Sequence, residues 1–257
     1  PLRVVRPGSA PRLLTTSMEK KEIFAESGLD YAVFITFNEM LSRYPPRRFV
    51  KEILVDRLHV EELVIGHDHG FGRDRSGNVD TLREIGAELG FLVDVVAPVK
   101  AGGGVVSSSR IRAAVEAGQM DEAELCLGRP YSIRGIVVCG EERGRKLGFP
   151  TANLSMPDQD KLIPPPGIYA VQGRVQDRTY SGALHLGPRP TFEGLSPSIE
   201  VHLLDFDQDI YGSEVTVHFI EFLREIHPFD SPEQLIEQMR KDAQKARYAV
   251  DARATSI

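Results

Sequence analysis

Apolar residues in the first half of the chain follow two alternating patterns. Short, compact apolar runs are typical of buried strands. Between these runs, apolar residues return every three to four positions, which predicts amphipathic helices. Strands that alternate with helices favour an α/β, Rossmann-like fold with a parallel sheet. The predicted strands are 31–36, 60–65 and 91–97, and the predicted helices are 18–27, 45–58 and 79–89.

The pattern changes near residue 129, beyond which helical periodicity is absent for about a hundred residues. Strand candidates separated by turns rich in Gly, Pro and Asp predict an antiparallel β-barrel or sandwich. A C-terminal helix should begin at Ser231, with Pro232 in its first position and Gln234 completing a capping box. We therefore expect two domains, 1–128 and 129–257. The barrel strands are predicted at 133–139, 168–175, 180–186, 199–204 and 215–222.

Composition narrows the class of protein. A length of 257 residues with 41% hydrophobic residues suits two modest soluble domains. The net charge of −6 argues against nucleic acid as a partner, and no apolar run approaches the roughly 20 residues of a membrane span. Cys126 and Cys139 offer no disulfide framework, so we expect a cytoplasmic protein in a reducing compartment. Oligomeric state is not evident from the sequence.

Most of the residues suited to binding a nucleotide and a metal lie in one segment. It reads GEERGRKLGFPTAN and places Gly140, Gly144 and Gly148 between a predicted strand and an extended PTAN. Glycines let the backbone approach a phosphate chain closely. Thr151 and Asn153 supply hard oxygen donors suited to Mg²⁺ carried in with a nucleotide. The spacing matches neither a Walker loop nor a dinucleotide-binding turn, and the alternative is a basic, glycine-rich hairpin with no ligand.

The unbroken GxxxGxxxGFPTAN stretch resembles the riboflavin kinase family. Later segments follow in the family's order, so the resemblance covers essentially all of residues 129–250. It implies a small antiparallel barrel that uses ATP to phosphorylate riboflavin to FMN. The matching segments are PPPGIYAV at 164–171, GPRPTF at 187–192, IEVHLLDFDQDIYG at 199–212 and FLRE…FDS at 222–231.

The resemblance implies roles for individual residues. Thr151 and Asn153 would be the Mg–ATP ligands, and Glu200 the base that accepts the proton of the attacking hydroxyl. Strand alternation would leave Glu200 facing the site, although an exposed strand carboxylate without a role is the alternative. His185 departs from the family's Asn, and Arg224 is a candidate flavin contact. The implied ATP-binding residues are Gly140, Gly144, Lys146, Gly148, Pro150, Thr151 and Asn153.

The first half carries a second, weaker motif. SSSRIR opens a predicted helix, and hydroxyls at a helix N-terminus beside an arginine can bind an anion. This stretch resembles the nucleotidyltransferase-like module of bacterial bifunctional FAD synthetases, which transfers AMP from ATP to FMN. No HxGH motif of that module occurs in the 257 residues. We therefore expect the chain to begin partway into the module and to lack that activity. The implied nucleotide site is Ser107, Ser108, Ser109 and Arg110.

Two further clusters and two rival functions complete the predictions. His67 and His69 are expected in a solvated loop, because no third metal ligand is near. The run Asp205, Asp207 and Asp209 lacks the Gly and Glu of a calcium loop, so a hairpin turn is expected. The rival functions are a different nucleotidyltransferase with an appended barrel and a non-catalytic flavin- or nucleotide-binding module.

Overall fold

The computed structural model describes residues 2–140, 143–187 and 198–254. Two short 3₁₀ turns, Pro7–Ser9 and Arg73–Arg75, join the regular elements, and Val50–Val55 continues the fourth helix as a π-helix. The helices are α1 (Leu2–Val5), α2 (Ser17–Glu26), α3 (Glu39–Ser42), α4 (Pro46–Phe49), α5 (Val79–Leu89), α6 (Ser108–Glu116), α7 (Met120–Leu127), α8 (Arg143–Lys146) and α9 (Pro232–Ala254). The strands are β1 (Glu62–Gly66), β2 (Leu92–Val96), β3 (Lys100–Ala101), β4 (Gly104–Val105), β5 (Ser132–Val138), β6 (Ala152–Ser155), β7 (Gly167–Val175), β8 (Arg178–Gly187), β9 (Ser198–Leu203) and β10 (Glu214–Arg224).

The chain forms two compact units that do not follow a single cut in the sequence. The first unit comprises residues up to Pro11 together with Ser27–Val106. The second comprises Arg12–Glu26 and the residues from Ser107 onward. Helix α2, which lies in the first half of the sequence, is therefore part of the same unit as the C-terminal barrel.

The first unit contains a β–α–β arrangement. Strands β1 and β2 pair in parallel, with Glu62 opposite Leu92, and α5 connects them. Asn78 caps the start of α5, and Gly90 ends the helix in the left-handed conformation that glycine adopts most easily. The parallel pair and the connecting helix confirm the Rossmann-like prediction. The core of this unit consists of Val50, Ile65, Phe71, Leu82, Ile85 and Phe91.

The strand predicted at residues 31–36 is wrong. The structure gives these residues no regular secondary structure, and Tyr31 and Val33 are 88% and 61% exposed. A strand is stabilised by hydrogen bonds to a neighbouring strand. None of the strands in the described part of the chain pairs with this segment. An apolar run alone therefore did not identify a strand.

The second unit contains a closed antiparallel barrel with strand order β10-β5-β6-β9-β8-β7. Alternate residues of each long strand point into the barrel, where apolar side chains are fully buried. The five predicted strands are all present, and β6 adds the last two residues of the PTAN segment. The largest interior side chains include Ile133, Tyr169, Leu184, Leu186, Val201, Val215 and Phe219.

Helix α9 covers part of the outer barrel surface. Ala246 and Val250 of α9 pack against Ala170 of β7 and Ile220 of β10. The small alanine side chains allow the helix to approach the sheet closely. Among the described helices, none is both long and apolar enough to cross a membrane.

Candidate functional site

The glycine-rich segment folds tightly against the two oxygen donors that follow it. A Cβ atom on Gly140 would overlap the side-chain amide of Asn153. A Cβ atom on Gly144 would overlap the Phe149 carbonyl and would come within 3.2 Å of Thr151 Oγ1. Gly148 has a different reason to be glycine, because its φ is +83°. The predicted role of Lys146 falls on a side chain outside the described residues.

Thr151 borders a cavity of about 390 Å³ at one end of the barrel. One wall is formed by barrel side chains, including Val137 and Leu203, and another by the loop after β9, from Phe206 to Tyr211. Sequence reasoning assigned that loop to a turn and missed its place beside Thr151. Its position after the strand that carries Glu200 was the available signal. Asp207 and Asp209 of that loop both line the cavity.

Glu200 lies directly opposite Asn153. In the register of β6 and β9 these two residues are partners, and Ala152 is opposite Val201. Side chains of directly opposed residues share a face, with Cβ atoms about 5 Å apart. Thr151 precedes Asn153 by two residues and lies just before β6 begins at Ala152. The side chains of Thr151, Asn153 and Glu200 are each half-buried.

The surroundings of Glu200 follow the alternation predicted from the sequence. Ile199 and Val201 are buried, whereas Glu200 is only partly covered. The hydroxyl of Ser198, two residues earlier on the same face, donates a hydrogen bond to Glu200 Oε1 at 3.0 Å. This bond orients the carboxylate through one of its two oxygens.

His185, which replaces the asparagine of the family, is the neighbour of Glu200 on the side away from Asn153. His185 of β8 is opposite Glu200 of β9 in the sheet register. Burial lowers the pKa of His185 below its ordinary value of 6.5; the Glu200 carboxylate opposes that shift and Arg224 adds to it. A carboxylate, an amide and a neutral imidazole therefore lie in one row across three strands.

Arg224, the candidate flavin contact, is engaged within the protein. Its Nε donates to both oxygens of Asp242 at 3.1 Å, and its Nη2 donates to Asp242 Oδ2 at 2.7 Å. Asp242 is buried on α9 and also accepts a hydrogen bond from Gln238 at 2.8 Å. The arginine thus joins β10 to α9, and its role toward flavin stays a prediction.

A second strand residue supports the GFPTAN segment and was missed from the sequence. His202, two residues beyond Glu200, places its Nδ1 atom 2.8 Å from the Pro150 carbonyl oxygen. The imidazole also meets the Phe149 ring edge-on, with centroids 5.4 Å apart. Ser198, Glu200 and His202 occupy alternate positions of one strand, so alternation could have placed all three on the same face.

The second motif forms the start of α6. The Ser107 hydroxyl accepts a hydrogen bond from the Arg110 backbone N–H at 3.2 Å and caps the helix. The Arg110 guanidinium pairs with Glu122 of α7 at 2.6 Å. Ser107, Ser108 and Ser109 are exposed. A helix start is present, while a nucleotide-binding role for these residues stays a prediction.

The donor set fits a metal ion that is shared with a nucleotide. Thr151 and Asn153 offer two neutral oxygen donors two residues apart, too few to satisfy Mg²⁺ without phosphate or water oxygens. In the described part of the chain, no group of three or more His, Cys, Asp or Glu side chains could hold a metal. His67 and His69 belong to no such group among the residues described.

Fold and donor set together define a nucleotide-dependent phosphotransferase. A family model described as riboflavin kinase matches residues 127–250, and one described as FAD synthetase matches residues 1–110. The chain belongs to the bifunctional riboflavin kinase/FMN adenylyltransferase family. Relatives of that name from Listeria monocytogenes and Bacillus subtilis are 38% and 33% identical to this chain. The matches cover 92% and 96% of this chain, and 74% and 79% of the relatives.

A relative of the same name from Escherichia coli is 35% identical over 96% of this chain and 79% of its own length. A solved structure from Streptococcus pneumoniae, titled a macrolide-efflux protein, has a similar fold with a TM-score of 0.82. It is 31% identical, and the match covers 91% of this chain and 75% of that one. The likeness extends across both the α/β and the barrel regions of the chain.

Proposed function

We propose that the barrel unit phosphorylates riboflavin to FMN with ATP, using Thr151, Asn153 and Glu200 at one site. The observation that carries this proposal is the cross-strand pairing of Asn153 with Glu200, which brings a metal–nucleotide donor beside a base. The kinase segment is residues 129–257, in keeping with the family match at 127–250. The adenylyltransferase segment is residues 1–128.

The glycine-rich segment would hold the phosphate chain of ATP. With Gly140 and Gly144 packed against the donors, backbone rather than side chain faces the phosphates. Thr151 Oγ1 and Asn153 Oδ1 would hold Mg²⁺. When bound, the metal neutralises charge that develops on the phosphates during transfer. The cavity, which Thr151 borders and which neither Asn153 nor Glu200 lines, would take the remainder of the nucleotide.

Glu200 would accept the proton of the primary hydroxyl of riboflavin as that oxygen bonds to the γ-phosphorus and ADP leaves. The Ser198 hydroxyl orients the carboxylate. His185, neutral at pH 7 because its pKa is lowered, adds no positive charge that would weaken the base. General-base catalysis of this kind contributes about 10²- to 10⁴-fold to the rate.

The direct experiment measures FMN by chromatography after incubation with riboflavin and Mg–ATP. We expect turnover by the unaltered chain and at least a roughly 100-fold lower rate for Glu200→Gln, because the amide cannot accept the proton. Glu221→Gln is the matched control, since Glu221 is an exposed strand carboxylate on β10. A flavin-binding module without catalysis would bind riboflavin yet make no FMN in any variant.

We assign the family's adenylyl transfer from ATP to FMN to residues 1–128, and we expect this chain to lack that activity because it carries no HxGH motif. The support is the FAD synthetase match at residues 1–110 and the capped start of α6, with Ser107–Arg110 as its proposed nucleotide site. Formation of FAD from FMN and Mg–ATP measures this activity separately. We expect the chain to form no FAD in this assay, and appreciable FAD would show that the HxGH motif is unnecessary or replaced.

A further inference from the structure

The bond between His202 and Pro150 links the strand of Glu200 to the segment that carries Thr151. Residues 150 and 202 are far apart in sequence, yet Nδ1 of His202 is 2.8 Å from the Pro150 carbonyl oxygen. The same strand orients Glu200 two residues earlier through its pairing with Asn153. β9 therefore contacts the segment that carries the oxygen donors at two points. Glu200 pairs with Asn153, and His202 bonds to Pro150.

The partner of the imidazole determines that Nδ1 is a donor. A carbonyl oxygen only accepts hydrogen bonds, so Nδ1 of His202 must carry the hydrogen and donate it to Pro150. In a neutral imidazole, Nε2 is then the acceptor. Pro150 has no N–H of its own, and its carbonyl is the group through which the ring can fix the backbone at this position.

Fixing the Pro150 carbonyl also fixes the direction of the next amide. A trans peptide group is planar, and its C=O and N–H point in opposite directions. The described residues contain no cis peptide bond. The Thr151 N–H therefore points away from His202, while the Thr151 residue borders the 390 Å³ cavity. Rotation of this peptide plane would turn both the amide and the hydroxyl of Thr151.

We propose that His202 is a positioning residue of the kinase site: by donating from Nδ1 to the Pro150 carbonyl, it holds Thr151 in the orientation that binds the metal–nucleotide complex. The inference rests on the proposed kinase function. It acts on the nucleotide rather than on riboflavin, because the segment that His202 holds contains the nucleotide donors and not the base.

Three substitutions separate the hydrogen bond from the ring contact with Phe149. His202→Asn keeps a donor near the position of Nδ1 and removes the ring. His202→Gln moves the donor outward to the position of Nε2, and His202→Phe keeps the ring and removes the donor. We expect Asn to stay within about threefold of the unaltered chain. Gln and Phe should raise the KM for Mg–ATP by roughly 10- to 100-fold, the usual range for residues that orient metal ligands, with little change in the KM for riboflavin.

The controls keep this inference distinct from the proposed function. FMN formation by the unaltered chain tests the function itself, and its absence would remove the basis for both. If the unaltered chain is active and either His202→Gln or His202→Phe has the same KM for Mg–ATP as that chain, the positioning role is wrong. Equal losses in Asn and Phe would also overturn it, because the hydrogen bond would then be irrelevant. Thermal unfolding of each variant is measured in parallel, and Asn and Gln decide the matter if Phe does not fold.

Discussion

The glycines of the GFPTAN segment are required for two different physical reasons. At Gly140 and Gly144 the missing side chain makes room for Asn153, Phe149 and Thr151. At Gly148 nothing lies within 4 Å of an added Cβ, but the backbone is in the left-handed region. One pair of glycines therefore shapes the site, whereas the third permits the turn that leads into it.

This difference predicts distinct effects of alanine at the two kinds of position. Gly140→Ala should displace the Asn153 amide and lower kcat/KM for Mg–ATP by roughly 100-fold, the cost of a misplacement of about 1 Å. Gly148→Ala should cost about 1–2 kcal/mol of stability through backbone strain, with a much smaller effect on kcat/KM. Steady-state kinetics and thermal unfolding of both variants test this. Similar kinetic losses in both would contradict the distinction.

The sequence predicts the environment of a single residue only where that environment depends on residues close to it in the chain. Strand alternation placed Glu200 on the polar face of β9, and the structure agrees. The support that His202 gives to Pro150 was not predictable, because it depends on two segments meeting in space. The pairing of Glu200 with Asn153 likewise follows from barrel register, which local periodicity does not determine.

Helix α2 is tied to the barrel unit by a buried ion pair. Lys161 and Glu19 are 3% and 4% exposed, with Nζ 2.7 Å from Glu19 Oε2. Lys161 also donates to the Leu14 carbonyl at 2.7 Å, and Glu19 Oε1 is buried without a hydrogen-bond partner within the described ranges. Arg174 adds a longer contact to Glu22 of the same helix at 3.8 Å. A buried pair of this kind is costly to break on one side.

Removing one member of the pair should therefore destabilise the second unit strongly. Lys161→Met leaves the Glu19 carboxylate buried and unpaired, which should cost about 3–5 kcal/mol of unfolding free energy. Replacing both residues, as Lys161→Met with Glu19→Leu, should recover much of that loss. Lys51→Met, which breaks an exposed pair with Asp56, is the control and should cost less than about 1 kcal/mol. Denaturant unfolding measures all four proteins, and equal losses for Lys161 and Lys51 would contradict this account.

The same lysine predicts a dependence of stability on pH. Burial lowers the pKa of Lys161 from 10.5 to about 8, although Glu19 opposes the shift. Between pH 8 and 10.5 the unfolded chain therefore binds more protons at this group than the folded chain, so its contribution to stability grows as pH rises. The difference in unfolding free energy between the unaltered chain and Lys161→Met should widen over that range. A constant difference would refute the lowered pKa.

Secondary structure was predictable where pattern and local capping decide it. The five predicted barrel strands are present, and at α9 the Ser231 hydroxyl accepts the Gln234 N–H at 3.3 Å, as in a capping box. The prediction of a strand at residues 31–36 was wrong because a strand needs a neighbouring strand to pair with, and an apolar run does not show whether one is present. The placement of α2 in the barrel unit could not be predicted either, because it depends on a contact between Lys161 and Glu19, which are far apart in the sequence.

At the scale of the whole molecule, the chain passes between two compact units at Pro11–Arg12, Glu26–Ser27 and Val106–Ser107. Each unit has its own hydrophobic core, so each should unfold as a cooperative unit. A ligand that binds one folded unit stabilises that unit alone by mass action. The candidate kinase cavity is lined only by residues of the second unit.

Ligands of the kinase site should therefore shift one of two thermal transitions. At about 100 times its Kd, Mg–ADP should stabilise the second unit by about 2.7 kcal/mol. The shift should be abolished in Thr151→Ala with Asn153→Ala, while the other transition stays where it was. Scanning calorimetry with and without Mg–ADP measures this. A shift that survives the double substitution would place the nucleotide elsewhere.

The central claim is that the metal–nucleotide donor on β6 and the base on β9 act together in a single phosphoryl-transfer step. A double-mutant cycle on FMN formation, with Asn153→Ala, Glu200→Gln and their combination, tests it at saturating riboflavin and Mg–ATP. We predict that each single change lowers kcat by roughly 100-fold or more, and that the combination is no more than about threefold below the slower single variant. Independent, multiplicative losses, or near-normal turnover in either single variant, would contradict it.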